Sequence, residues 1–177
     1  MKTTPLPDLF FLEETLQIDS KAPSGLSWRN ANGKKIKPGD HAGCLSQRGY
    51  WAIGLKVNGT NKLFMAHRII YFMHYKTNID QDLIDHIDLN KSNNSICNLR
   101  LADLNQNKWN QNKTNIKTTS KYKGVHWCKR DNRWIATICC RGKRKAIGYY
   151  KTEIEAAKRY NEQALKIHGE FAKINVL

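Results

Sequence analysis

The chain has 177 residues, 40% of them hydrophobic and 25% charged, a composition that predicts a folded, soluble protein of one ordinary domain or two small ones. Its net charge of +15 is uneven: residues 1–112 carry 14 Lys/Arg against 10 Asp/Glu, whereas residues 113–177 carry 16 against 5. That excess points to a polyanion, with nucleic acid the expected partner, and the rest of the composition excludes several other classes. No apolar run is long enough to span a bilayer, the nearest being Leu9 to Leu12, and the N-terminus lacks the basic-then-apolar layout of a secretory signal. An intracellular protein without membrane contact is therefore expected. The five cysteines (Cys44, Cys97, Cys128, Cys139, Cys140) are odd in number and never at C-x-x-C spacing, so reduced thiols and no structural zinc are expected.

In chain order, residues 1–45 give few signals. Leu9 to Leu16 predicts a short helix, and Pro23, Gly25, Gly33, Pro38, Gly39 and Gly43 interrupt the rest, so this region has no assigned role. Trp51, Ile53, Leu55 and Val57 alternate as on a half-buried strand. Asn58-Gly59 suits a type I′ turn, Leu63 to Met65 returns as a second strand, and Ala66 to Tyr75 predicts a helix with Ile69, Ile70 and Met73 on one side. Leu83 and Ile84 lead a strand that ends in Asp85-His86. An Asn-rich loop comes next, then a strand from Asn98 to Leu101 and a helix N-capped by Asp103 that carries Asn107.

The stretch Gln106 to Lys121 is mostly Asn, Gln, Lys and Thr and cannot bury enough surface to fold alone, so it predicts a linker. Beyond it Trp134, Ala136, Ile138 and Cys140 alternate along one strand, Gly142 marks a turn and Ala146 to Tyr150 forms the next strand. Thr152 and Glu155 have capping-box spacing, Ile154, Ala157, Tyr160, Ala164 and Ile167 recur at helical period, and Gly169 can close that helix.

Asp85 to Asn110 carries the chemistry. A strand, loop, strand and helix place potential ligands at their ends, an arrangement that suits phosphodiester hydrolysis. That reaction needs a base to deprotonate water and a cation to neutralise charge on the phosphate and the departing 3′ oxygen. Imidazole titrates near pH 6.5, so His86 is available as a neutral base at physiological pH. Oxygen ligands such as Asp85 and the Asn107 amide suit hard Mg²⁺ rather than zinc.

The order D-H-(11 residues)-N-L-R-(6 residues)-N-x-x-N resembles the HNH, or His-Me finger, endonucleases, in the version found in phage and intron-encoded homing enzymes. Gly49-Tyr50 and Ala66-His67-Arg68 resemble the leader that such enzymes place before the motif. The resemblance implies His86 as general base, Asp85 and Asn107 as ligands of one divalent cation (Mg²⁺, with Mn²⁺ able to substitute), and Asn98 as the residue that braces the loop by hydrogen bonds to backbone. The choice of ligand among Asn105, Asn107 and Asn110 stays open. His41, His67, His74 and His126 read as structural or surface histidines, with His67 able to lie close to the active site.

From Ser120 to Asn175 the chain resembles the DNA-binding domain of plant ethylene-responsive (Apetala-type) transcription factors. The matching pieces are Ser120 to Val125, Arg133 to Ile138, Ile147 to Tyr150, Glu155 to Ala157, and Tyr160-Asn161. The resemblance implies a three-stranded sheet that enters the major groove with a helix behind it. Lys123, His126, Lys129, Arg130, Arg133, Arg141 and Arg144 then become the DNA-facing candidates. The plant pattern has Arg at the positions of Lys123 and His126, and its last-strand Trp falls at Ala146, so its target sequence does not transfer.

The fold expected is α+β: a small ββα-metal nuclease core preceded by a β-hairpin region, joined by a polar linker to a three-stranded antiparallel sheet packed on one α-helix. The expected divisions are 1–45 without assigned role, 46–112 as HNH endonuclease domain, 113–119 as linker and 120–177 as Apetala-type domain. The function expected is a homing-type endonuclease, a monomer that acts on double-stranded DNA without a protein partner. The rivals are a non-catalytic DNA-binding regulator with a decayed nuclease module and an RNA-binding protein. A decayed module would have lost one of Asp85, His86, Asn98 or Asn107, all of which are present, and no RNA-reading motif is recognisable.

Overall fold

The computed structural model, described over residues 4–30, 35–79, 82–113 and 119–177, divides into two compact units, Met1–Ala102 and Asp103–Leu177. The fold class is α+β, built, among the described residues, from small antiparallel sheets and four α-helices. Among the described residues no helix is long and apolar enough to cross a membrane.

The first unit opens with α1 (Leu9–Thr15), whose N-cap Asp8 accepts a hydrogen bond from the Phe11 amide at 2.8 Å. The region without assigned role in the sequence has structure. Strand β1 (Leu16–Ile18) pairs antiparallel with β2 (Leu26–Trp28). Strands β3 (Cys44–Leu45), β4 (Trp51–Val57) and β5 (Thr60–Met65) form an antiparallel sheet in that order. The β4–β5 turn uses Asn58 and Gly59, both at positive φ (50° and 77°), as the dipeptide predicts. Helix α2 (Ala66–Tyr75) has its expected bounds. Its Ile69 and Ile70 join Leu12, Leu16, Leu26, Ile53 and Leu55 in one core, each 0–1% exposed. At about 1.5–3 kcal/mol per fully buried side chain, that cluster anchors the unit. A two-stranded antiparallel ribbon, β6 (Leu83–His86) with β7 (Leu99–Ala102), carries the motif.

The second unit begins with α3 (Leu104–Asn110). Its capping box is complete: Asp103 Oδ1 accepts the amides of Asn105 and Gln106, and Gln106 Oε1 accepts the amide of Asp103. The stretch expected as linker from residue 106 is therefore helical as far as Asn110; residues 114–118 of the expected linker lie outside the described residues. Helix α3 also holds more than its polar sequence suggests. Trp109 stacks on His168 with ring centroids 4.3 Å apart and an interplanar angle of 9°. Its carbonyl accepts from Lys123 Nζ at 2.6 Å and from the Lys173 amide at 3.3 Å. The compact units thus divide ahead of α3, where the sequence places a boundary only after residue 112.

Strands β8 (Val125–Cys128), β9 (Arg133–Cys140) and β10 (Lys143–Tyr150) form an antiparallel sheet with β9 central, and α4 (Glu153–His168) packs on it. Strand β10 starts three residues earlier than its apolar pattern indicates. Arg141 and Gly142 both take positive φ (47° and 78°), so pairing resumes directly at Lys143 opposite Cys140. The helix stripe also differs from expectation. Ile154 and Ile167 are 51% and 39% exposed, and the inward face is Ala156, Ala157, Tyr160, Ala164 and His168. The small alanines bring the helix onto Ala136 and Ile138, and the His168 ring reaches the Cys139 carbonyl at 3.0 Å. Gly124 shows how tight that packing is. It has φ of +77°, and a Cβ there would lie 2.1 Å from the Tyr160 ring.

Candidate active site and nucleic-acid interface

The β6–β7 register sets the geometry of the site. Asp85 lies opposite Arg100 and His86 opposite Leu99, so the two motif residues point to different faces of the ribbon. On one face Arg100 donates from Nε (3.1 Å) and Nη2 (3.0 Å) to Asp85 Oδ2, and both side chains are largely buried. On the other, His86 shares a face with Ile84 and Leu99 and is 5% exposed.

Asn98 closes the loop between the strands. Its Oδ1 accepts the Asp88 amide at 3.0 Å, and its Nδ2 donates to Asp88 Oδ1 at 2.9 Å and to the Asn93 carbonyl at 2.8 Å. Two of these three bonds run to backbone. Burial tends to raise the Asp88 carboxyl, but donors from Asn93, Asn98 and the Asn90 amide outweigh it and hold the group below its usual range.

Side chains that the motif does not contain gather around His86. The His67 ring lies 5.0 Å from that of His86 in an edge contact, and Tyr50 lies 5.4 Å from His67 and 6.0 Å from His86. Lys91 Nζ stands 4.9 Å over the Tyr50 ring. Burial, then the neighbouring His86 and Arg68, pushes His67 down to about 3, so it is neutral at any working pH. Burial also lowers His86, opposed by the Asn94 hydrogen bond and by Asp88 and Asp85; His86 is thereby kept in the unprotonated form a base requires. His67, read with His41, His74 and His126 as a structural or surface histidine able to lie near the site, does lie against it. No sequence signal identifies Asn94, one of several asparagines in its loop, as different from its neighbours; its burial (5% exposed) does.

The donor set suits a hard divalent cation. Among the described residues no three His, Cys, Asp or Glu gather as a metal site, so amide, phosphate or water oxygens must complete any coordination beside Asp85. Mg²⁺ is bound in that way, through one or two carboxylates with waters and substrate phosphates making up the rest. Of the open alternatives on α3, Asn105 and Asn107 are half-buried and Asn110 is buried. Asn107 and Asn110 are three residues apart and share a face of that helix, with Asn105 on another.

In the second unit the register gathers part of the expected DNA face. Arg133 pairs with Cys128, His126 with Ile135 and Arg144 with Cys139, which puts Arg133, His126 and Arg144 on the sheet face away from α4. Lys129, Arg130 and Arg141 lie in the exposed turns at the strand ends. Arg130 is already bound to Asp131, at 2.8 and 3.1 Å. Lys123 departs from the expectation of a free cation: its Nζ donates to the carbonyls of Trp109 and Gln111 at 2.6 and 2.7 Å. Burial, then the nearby Lys173, lowers its pKa to about 8.

A family model for the AP2 domain matches residues 120–170. Protein 3.8 of Escherichia phage T7 is 36% identical over 90 residues, covering 51% of this chain and 73% of the phage protein. The chain belongs to the family of that phage protein. An uncharacterised HNH endonuclease of Acanthamoeba polyphaga mimivirus is 39% identical over 110 residues, covering 62% of this chain; the chain spans only 56% of that relative's length. A solved structure of the HNH homing endonuclease I-HmuI, a study of DNA binding and cleavage, matches with a TM-score of 0.46 and 23% identity, over 92% of this chain and 90% of the other. The family member described here thus combines an HNH-type motif with an AP2-type domain.

Proposed function

We propose that this chain is a homing-type HNH endonuclease, a monomer that hydrolyses phosphodiester bonds in duplex DNA with one divalent cation, Mg²⁺ for preference. The reading rests on one observation above the others. Asp85 and His86 are each buried at adjacent positions at the end of β6, beside a loop that Asn98 ties to its own backbone. A neutral imidazole held at that position takes the proton from an attacking water. Arg100 holds Asp85 in place from the facing strand. When bound, the cation supplies the positive charge that offsets negative charge developing on the phosphate and the departing oxygen. By the motif, Asp85 and Asn107 would hold it. The exposed arginines of the second unit supply phosphate and base contacts, and with them target recognition.

The test is a supercoiled plasmid incubated with the full chain and Mg²⁺, with and without EDTA, beside His86→Ala. Nicked or linear product in Mg²⁺ alone is expected. His86→Ala is expected to be slower by about 10²–10⁴-fold with DNA affinity retained. Full activity in excess EDTA, or a folded His86→Ala that cuts like wild type, removes the cation-and-histidine mechanism; no cleavage under any condition favours a binding protein without this chemistry.

A further inference from the structure

The HNH motif names a base but does not say what orients it. In the first unit that task falls to a residue outside the motif and to the segment at 1–45 that the sequence leaves without a role. His86 Nε2 lies 3.1 Å from Asn94 Oδ1. The amide of Asn94 has no freedom to present its nitrogen there, because Nδ2 donates to the Ser24 carbonyl at 2.8 Å, and a carbonyl can only accept. Oδ1 is therefore the atom facing the imidazole, and Nε2 must be the ring nitrogen that carries the proton.

The far end of this relay is rigid. Ser24 is 0% exposed; its hydroxyl donates its one proton to the carbonyl of Ala42 at 2.6 Å, with that of Leu26 also in reach at 3.1 Å, and accepts the Leu26 amide at 3.2 Å. The next residue, Gly25, turns the chain at φ of +82°. A Cβ there would lie 2.7 Å from Ile70 Cδ1 and 3.5 Å from Asn94 Cβ. The positive φ favours glycine here, and a side chain would displace the tip of Ile70.

We propose that Asn94 is the positioning residue for the general base. Its amide, clamped by the Ser24 carbonyl, fixes His86 with the proton on Nε2 and the lone pair on Nδ1, so Nδ1 is the atom that receives the proton from water. The N-terminal hairpin thereby forms part of the catalytic apparatus. This rests on the endonuclease reading and deepens it. Outer partners that orient an active-site imidazole typically contribute about 10–100-fold in activity.

The experiment measures single-turnover cleavage of duplex DNA and DNA affinity for the full chain, Asn94→Leu, Asn94→Asp, His86→Ala and the double variant Asn94→Leu/His86→Ala. Asn94→Leu keeps the size of the side chain and removes the acceptor. It is expected to slow cleavage about 10–100-fold with affinity unchanged. Asn94→Asp keeps an acceptor oxygen, loses the donor to Ser24 and favours protonated His86, so it recovers part of the rate only as pH is raised far enough to deprotonate that imidazole. In the His86→Ala background Asn94→Leu is expected to add nothing, because the residue through which it acts is gone. A purely structural role would slow both backgrounds equally, and that result overturns the inference, as does a wild-type rate for folded Asn94→Leu. Should Asn94→Leu fail to fold, ¹⁵N spectra of wild type decide, with the His86 signals assigned by their loss in His86→Ala. A protonated Nε2 and an unprotonated Nδ1 are expected; the opposite tautomer refutes the relay. No cleavage by wild type with any divalent cation defeats the endonuclease reading itself, which the spectra distinguish from failure of the relay.

Discussion

His67 makes the stability of the first unit depend on pH in a calculable way. It is 7% exposed, and its Nδ1 has no hydrogen-bond partner among the described residues. Its pKa falls from an ordinary 6.5 to about 3. Above pH 6.5 it is neutral folded or unfolded and contributes no pH dependence. Below that, the unfolded chain binds a proton the folded one refuses, so stability falls as pH falls through the window from 6.5 toward about 3. Linkage over that window makes the unit about 2 kcal/mol less stable at pH 5 than at pH 7. His67→Phe removes the titrating group while keeping a ring against His86. The assay is amide exchange protection in α2, which reports on this unit alone, for wild type and His67→Phe at both pH values. The variant is expected to lose about 2 kcal/mol less than wild type on acidification, whatever its stability at pH 7. Equal losses in the two proteins would mean that His67 accepts its proton in the folded state, and the account of the histidine cluster as dry and neutral would fail.

Arg100→Met takes the guanidinium from a buried carboxylate and is expected to destabilise the first unit by about 3–5 kcal/mol, largely recovered by adding Asp85→Asn, as read by urea denaturation. Lys123→Met strips the donor from the Trp109 and Gln111 carbonyls; it is expected to cost the second unit about 1–3 kcal/mol of thermal stability and to leave the salt dependence of DNA binding unchanged. Arg133→Ala and Arg144→Ala are expected to do the reverse, each lowering the log–log salt slope by about one unit with stability intact; unchanged slopes would move the DNA contact off that sheet face. Asp85→Ala and Asn107→Ala are each expected to raise the Mg²⁺ concentration for half-maximal cleavage; if Asn110→Ala does so and Asn107→Ala does not, the ligand is Asn110.

Elements driven by alternating apolar residues or by a strict turn dipeptide were legible in the sequence. Trp51 to Val57, Asn58-Gly59 and Ala66 to Tyr75 lie where their periods put them, because a buried face and a positive φ each restrict the residues that fit. The β1–β2 hairpin was not legible. Its strands are three residues each, too short for any period, and its turn is held by the Ser24 hydroxyl and by tertiary packing. Polar α3 was half hidden for a related reason: its cap is local and readable, whereas its anchorage is Trp109 on His168, nearly sixty residues apart in the chain. Lys123 was misread because sequence gives the charge of a lysine and not its hydrogen-bond partners. At the candidate site the motif names Asp85, His86 and Asn98, whereas Tyr50, His67 and Asn94 come together with His86 only through the fold.

The asparagines between the two strands of the motif look like low complexity and behave as a division of labour. Asn90 Oδ1 accepts the Ser92 amide and hydroxyl, Asn93 joins Asp88 to the Ser95 amide, and Asn98 makes three bonds at the loop's closure. Asn94 alone turns inward to His86 and Ser24. What the loop requires at each point is a short side chain that donates and accepts together, which an amide does and a hydroxyl or carboxylate does less well. Charge is the further reason for amides near the imidazole. A carboxylate at position 94 would stabilise a protonated His86, and the base must be neutral to take a proton from water. The one carboxylate in that network, Asp88, is exposed and spends its oxygens on Asn90, Asn93 and Asn98. An uncharged inner contact and a charged outer one let the same loop be rigid and keep its histidine unprotonated.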